Sequence, residues 1–190
     1  MAVITIRKEF AKDAAAREAL LDVGYGDARF TKVSERLREG RLSAAGLALV
    51  ACDRGRIVGT VRFWDVTAGI ARPALLLGPL TVHPDYRGRG IGSALMRRAL
   101  ADATRLGHRA VLLVGDASYY GRFGFSSERT GSLWLPGRYD AHRFLARELV
   151  PGALDGARGL ISATGRKSPK PRLSKLVAAV RPNESVARAA

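Results

Sequence analysis

The stretch from Leu75 to Val114 constrains this 190-residue chain more than any other. Leu75-Leu76-Leu77-Gly78-Pro79-Leu80-Thr81-Val82 is almost continuously apolar, as a strand covered on both faces must be. A loop rich in glycine and arginine follows. Then comes Ile91 to Leu106, where Ile91, Leu95, Ala99 and Ala103 recur every four residues and Gly107 stops the run. Ala110-Val111-Leu112-Leu113-Val114 is again short and apolar. Strand, helix and strand in that order form a crossover, so the two strands lie parallel in one sheet. Gly78-Pro79 breaks the pattern of a central strand, because proline has no N–H for the ladder. The spacing predicts a bulge there that splays the strand from its neighbour and opens a cleft.

The segments before this unit read as antiparallel. Val3 to Arg7 is β-branched, and Leu47 to Ala51 and Ile57 to Trp64 flank Cys52-Asp53-Arg54-Gly55-Arg56, which has hairpin-turn chemistry. Helices are expected over Lys12 to Val23, stopped by Gly24, and over Thr31 to Arg38, closed by Gly40. Beyond Gly124 the pattern weakens, with Leu133 to Leu135 and Arg143 to Val150 as closing strands. The fold class is therefore α/β in the broad sense, an α+β domain with a central splayed mixed sheet flanked by helices. Ser168-Pro169-Lys170-Pro171 reads as a linker, which sets a domain at 1–164 and a basic tail at 165–190, with Leu173 to Val180 as a short helix.

Charge and composition narrow the partners. The chain carries 32 basic and 17 acidic residues, a net +15. Residues 165–190 hold seven basic residues against Glu184 alone. Such a surplus favours anionic partners: nucleic acid, acidic lipid or a polyphosphate cofactor. An Arg-rich residue usage accounts for the same surplus without any partner. No apolar run approaches the ~18 residues of a membrane span, and the first residues turn charged before an apolar signal core could form. Cys52 is the only cysteine, so an intramolecular disulfide or a cysteine metal site is not expected. These features point to a cytoplasmic protein, monomer or homodimer, with no metal.

Chemistry is concentrated in Val82-His83-Pro84-Asp85-Tyr86-Arg87-Gly88-Arg89-Gly90-Ile91-Gly92-Ser93, at a strand-to-helix junction. Glycines allow an anion to approach the backbone, and the helix start offers N–H groups with no partner inside the helix. Arg87 and Arg89 add full charges, a combination that suits a pyrophosphate. Two other phosphate loops are excluded. Gly92-Ser93 lacks the lysine of a Walker loop, and Gly88-x-Gly90-x-x-Ser93 lacks the last glycine of a dinucleotide fingerprint.

Arg87-x-x-Gly90-x-Gly92 behind Gly-Pro-Leu-x-Val-His-Pro resembles the acetyl-CoA-binding motif of the GNAT N-acetyltransferases. Gly115-Asp116-Ala117-Ser118-Tyr119-Tyr120-Gly121-Arg122-Phe123-Gly124-Phe125 resembles the second signature of that superfamily, a tyrosine shortly before Gly-Phe. Glu148-Leu149-x-Pro151-Gly152-Ala153-Leu154 is similar to its YhbS-like branch, and the likeness spans residues 3–164. The resemblance implies a GNAT-like fold and transfer of acetyl from acetyl-CoA to an amine by direct attack. It implies pantetheine beside the backbone of Leu80, Thr81 and Val82. Pyrophosphate would lie on Arg87, Gly88, Arg89, Gly90, Ile91, Gly92 and Ser93, and Tyr120 would be the general acid. Tyr119 is the alternative donor.

Many members place a glutamate on the strand after the long helix, and Ala110 to Val114 carries no carboxylate. Asp116 is the nearest substitute for a base, with Glu128 and His83 behind it and a water chain as the default. Asp116 could equally cap the next helical turn. The acceptor, a small-molecule or a protein amine, is expected between the first helices and the segment 126–150, where Asp27, Glu35, Glu39, Asp140 and Glu148 could attract a cationic amine or simply be solvated. Two other classes stay open: a nucleic-acid or ribosome-associated protein using its basic tail, and a catalytically silent acyl-CoA sensor.

Overall fold

The structure, a computed structural model, describes residues 4–169. The expected tail helix and all of the tail beyond Pro169 lie outside the described residues. Strands β1 (Ile4–Lys8), β2 (Ala48–Asp53), β3 (Arg56–Ala68) and β4 (Pro73–Val82) form an antiparallel run. Helix α2 (Ile91–Arg105) crosses to β5 (Ala110–Val114), which pairs parallel to β4, and β7 (Phe144–Glu148) closes that side antiparallel. The mixed sheet runs β1-β2-β3-β4-β5-β7.

The continuous apolar character of β4 and β5 has its cause in two covered faces. Leu75 and Leu77 of β4 and Val111 and Leu113 of β5 pack with Ile91, Leu95, Met96 and Ala99 of α2. Leu76 and Leu112 point the other way, into a second core with Leu133, Leu135, Phe144 and Ile161. A strand with period two and apolar residues at every position must face two cores. Each fully buried leucine contributes about 1.5–3 kcal/mol, so this double layer holds the sheet in place.

The bulge falls where the sequence indicates. Val61 pairs with Leu80 and Phe63 with Leu77, so Arg62 alone faces both Gly78 and Pro79. Trp64 pins the irregularity by donating its indole N–H to the Gly78 carbonyl. β4 and β5 register only at Leu75–Val111 and Leu76–Leu112, and beyond Leu77 the two strands are unpaired. The sheet is splayed there.

Several expectations are corrected. The helix expected over Thr31 to Arg38 is a single 3-10 stretch, Val33–Leu37, because Arg38 turns inward to bond the Ser34 carbonyl and hydroxyl. Of the closing segments, Leu133–Trp134 is a two-residue strand, β6. It pairs with β8 (Gly159–Ala163), which sequence patterning missed because only Ile161 of it is buried. β8 also extends the far end of β3. The described chain stays engaged past 164: Arg41 bridges to Lys167, and the Ser168 N–H donates to Gly40.

Candidate active site

Two elements on either side of β4 frame the site. On one, His83 to Gly90 forms the turn into α2. Gly88 and Gly90 both take φ +75°, a left-handed conformation costly for side chains with a Cβ, and the space where such a Cβ would sit is open. Gly90 caps α2, and its carbonyl accepts from Ala94 (2.9 Å), so the N–H groups of Ile91, Gly92 and Ser93 have no acceptor inside the helix. Ile91 buries its side chain in the core, which anchors this N-terminus. Arg87 and Arg89 are exposed and meet no carboxylate among the described residues; Arg89 stacks on Tyr86 at 5.0 Å. The loop therefore presents backbone donors, two cations and an open cradle, a fit for a polyphosphate.

On the other side, the splayed strands open into a cavity of about 150 Å³. Its walls are α1 (Ala14–Tyr25), the segment 29–38, β3, the bulge of β4, and Val114 with Tyr120 beyond β5. The Tyr25 hydroxyl donates to the Leu80 carbonyl, tying α1 to the splayed part of β4. Tyr120 lies on α3 (Ala117–Tyr120), and its ring rests on the end of β5. A Cβ on Gly115 would sit 2.2 Å from that ring, so glycine is required there. Burial pushes the Tyr120 phenol well above its ordinary value, and the neighbouring Tyr25 and Tyr119 add to the shift against a smaller opposing effect of Arg143. Tyr120 is thus a protonated hydroxyl facing a cavity across the neutral range.

Tyr119 goes elsewhere. Its hydroxyl reaches within 3.0 Å of where a Cβ on Gly92 would be, at the start of α2, and Arg122 stacks on its ring at 4.8 Å.

Sequence comparisons agree with this geometry. Residues 44–127 match the family model described as acetyltransferase (GNAT) domain. The chain is 32% identical over 160 residues, 82% of its length, to the uncharacterized N-acetyltransferase YhbS of Escherichia coli, and spans 93% of that protein. This chain belongs to the GNAT acetyltransferase family. The crystal structure of Escherichia coli YhbS in complex with CoA superposes with a TM-score of 0.71 at 32% identity, covering 86% of this chain and 91% of that one. A GNAT family acetyltransferase from Brucella melitensis in complex with acetyl-CoA matches at 0.61 and 26% identity, covering 92% of this chain and 99% of that one.

Within this GNAT fold the expected residues divide. Leu80, Thr81 and Val82 line the splayed part of β4, and Arg87 to Ser93 form the loop beside it. Tyr120 reaches the cavity. Asp116 does not: it is exposed and caps α3, accepting from the Ser118 N–H and hydroxyl at 3.0 Å each, bonds that lower its pKa. Of its two expected roles, the cap is the one this geometry displays. His83 accepts from Arg56 Nη2 (3.1 Å) outside the cavity, and Glu128 is on an exposed turn.

The cavity also holds residues that sequence reasoning missed: Tyr25, Lys32, Arg38 and Trp64. They lie at the end of α1, in the turn that follows it and on β3, with no shared motif. The segment 126–150 backs this wall, where Arg36 donates to the Pro136 carbonyl (2.9 Å), and does not line it. Among the described residues no cluster of three or more His, Cys, Asp or Glu could hold a metal, and no helix is long and apolar enough to cross a membrane.

Proposed function

We propose that this chain transfers the acetyl group of acetyl-CoA to a primary amine bound in the cavity, by direct attack. The observation that carries the reading is adjacency along β4: its splayed residues Gly78, Pro79 and Leu80 line the cavity with Tyr120, and the same strand runs on through Thr81 and Val82 into the open glycine loop. Acetyl-CoA supplies an activated thioester: the amine nitrogen forms a C–N bond to the acetyl carbon, and the C–S bond breaks.

Around that exchange the chain's own residues have distinct roles. The N–H groups of Ile91, Gly92 and Ser93, with Arg87 and Arg89, hold the pyrophosphate. The backbone of Leu80, Thr81 and Val82 orients pantetheine as an added strand, and a backbone N–H near Val82 stabilises the developing oxyanion. Such a preorganised donor contributes roughly 3–4 kcal/mol. Tyr120 donates its proton to the departing thiolate and regains one from solvent. A raised phenol pKa keeps this donor loaded at neutral pH.

The amine loses its proton to water. Glu18 and Glu35, the carboxylates of the cavity wall, are each already ion-paired to arginine, and the arginines beside Glu18 lower its pKa. Calorimetric titration of the full chain with acetyl-CoA tests the reading. Micromolar binding that Arg89→Glu weakens is expected; no binding would remove the acetyl-transfer function.

A further inference from the structure

We propose that the acceptor is a small amine that also carries an anionic group, held by Lys32 and Arg38. The inference rests on the acetyl-transfer reading above and adds the class of substrate.

The cavity wall carries four cations, Arg29, Lys32, Arg38 and Arg62, against the two carboxylates Glu18 and Glu35. Both carboxylates are already engaged: Glu18 by Arg17 (2.6 Å) and Arg29 (2.7 Å), Glu35 by Arg38 (3.0 Å). Arg62 is satisfied from outside the cavity by Glu9 (2.9 and 2.7 Å). What stays uncompensated is specific. Lys32 meets no carboxylate among the described residues and rests on the Tyr25 ring at 3.8 Å.

Arg38, buried, uses Nε and Nη2 on Ser34 and Glu35. Its Nη1 lies 3.7 Å from where a Cβ on Gly78 would stand, beside the bulge. Arg143, exposed and outside the cavity wall, makes no ion pair among the described residues, and its charge lowers the Lys32 pKa. The Arg29 Nε is buried with no hydrogen-bond partner among the described residues.

A polycationic acceptor would add charge to an unbalanced positive wall, whereas an anionic group would offset it. The field also acts on nitrogen. Burial lowers the pKa of Lys32, and the like charges of Arg38 and Arg143 lower it further. An acceptor ammonium in the same place is pushed toward its free-amine form, which direct attack requires and no free carboxylate here would supply. The size agrees with the charge: about 150 Å³ is below the roughly 300–1,000 Å³ typical of drug-sized ligands.

The test uses the full chain and begins with acetyl-CoA titration, whose failure would end the acetyl-transfer reading itself. With CoA present, N-acetylglycine and N-acetylglycinamide are then titrated as a pair differing in one carboxylate. Binding at least tenfold tighter for the carboxylate is expected. Lys32→Met should collapse that ratio while acetyl-CoA affinity holds, and Arg38→Met should act the same way where it folds. Thiol release with O-phosphoethanolamine, ethanolamine and spermidine should rank the phosphate-bearing amine first. Equal binding of the pair, binding of neither, preference for spermidine, or loss of acetyl-CoA affinity in Lys32→Met would each overturn the inference while acetyl-CoA still binds.

Discussion

The loop from Arg87 to Ser93 and the cavity under α1 are both rich in arginine, yet their charges are handled in opposite ways. In the loop, Arg87 and Arg89 stand exposed, and backbone N–H groups rather than side chains complete the site. Beneath α1, the largely buried Arg17, Arg29, Arg38 and Arg62 are knitted to the buried Glu9 and to the half-exposed Glu18 and Glu35. An exposed cation attracts a mobile anion at little desolvation cost, while a buried one must be matched by the protein before any ligand arrives. The first region suits a phosphate arriving from solution. The second holds a shape, with Lys32 and one edge of Arg38 left over.

The largest effect should come where the cavity touches the reaction. Tyr120→Phe is expected to lower kcat by roughly 10²–10⁴-fold with little change in the KM for acetyl-CoA, read by steady-state thiol release. Unchanged kcat would leave the cavity without its acid.

Next is the network itself. Glu9 is 5% exposed and joins Arg17 to Arg62, so Glu9→Gln strands the Arg62 guanidinium and leaves Arg17 with Glu18 alone. A loss of about 3 kcal/mol in urea unfolding is expected. A surface pair would lose under 1 kcal/mol, and that result would erase the contrast between the regions.

On the loop, Arg89→Glu should weaken acetyl-CoA about 10–100-fold without lowering stability, more at low salt than at high. Loss of stability with unchanged affinity would reverse the assignment of the two regions.

The smallest effect concerns how α1 is seated. Arg7 bonds Asp13 at 2.6 and 3.0 Å, and the Phe10 N–H adds a bond at 2.7 Å, which together lower the Asp13 pKa from 3.8 to about 2. Because the folded value is depressed, this stability is present above the unfolded pKa and is lost as pH falls from about 4 toward 2. Thermal midpoints of the wild type should drop over that window more than those of Asp13→Asn. Parallel curves would show that the pair does not seat α1.

The sequence by itself determined what is local. Leu75 to Val114 encodes its strand, loop, helix and strand in contiguous residues, because period-two and period-four patterns, a proline without an N–H and glycines at left-handed positions act within a few bonds. The bulge at Gly78-Pro79, the helix from Ile91 and the phosphate loop were legible for that reason. Tertiary structure decided the rest. The 3-10 turn at Val33–Leu37 replaced a helix because Arg38 is drawn inward, and β8 formed because β3 and β6 offered it edges, not because its residues alternate. The cavity that places Tyr25, Lys32, Arg38, Trp64 and Tyr120 together exists only once α1, the bulge and α3 have packed. Its chemistry belongs to side chains far apart in the chain, and no short-range rule connects them.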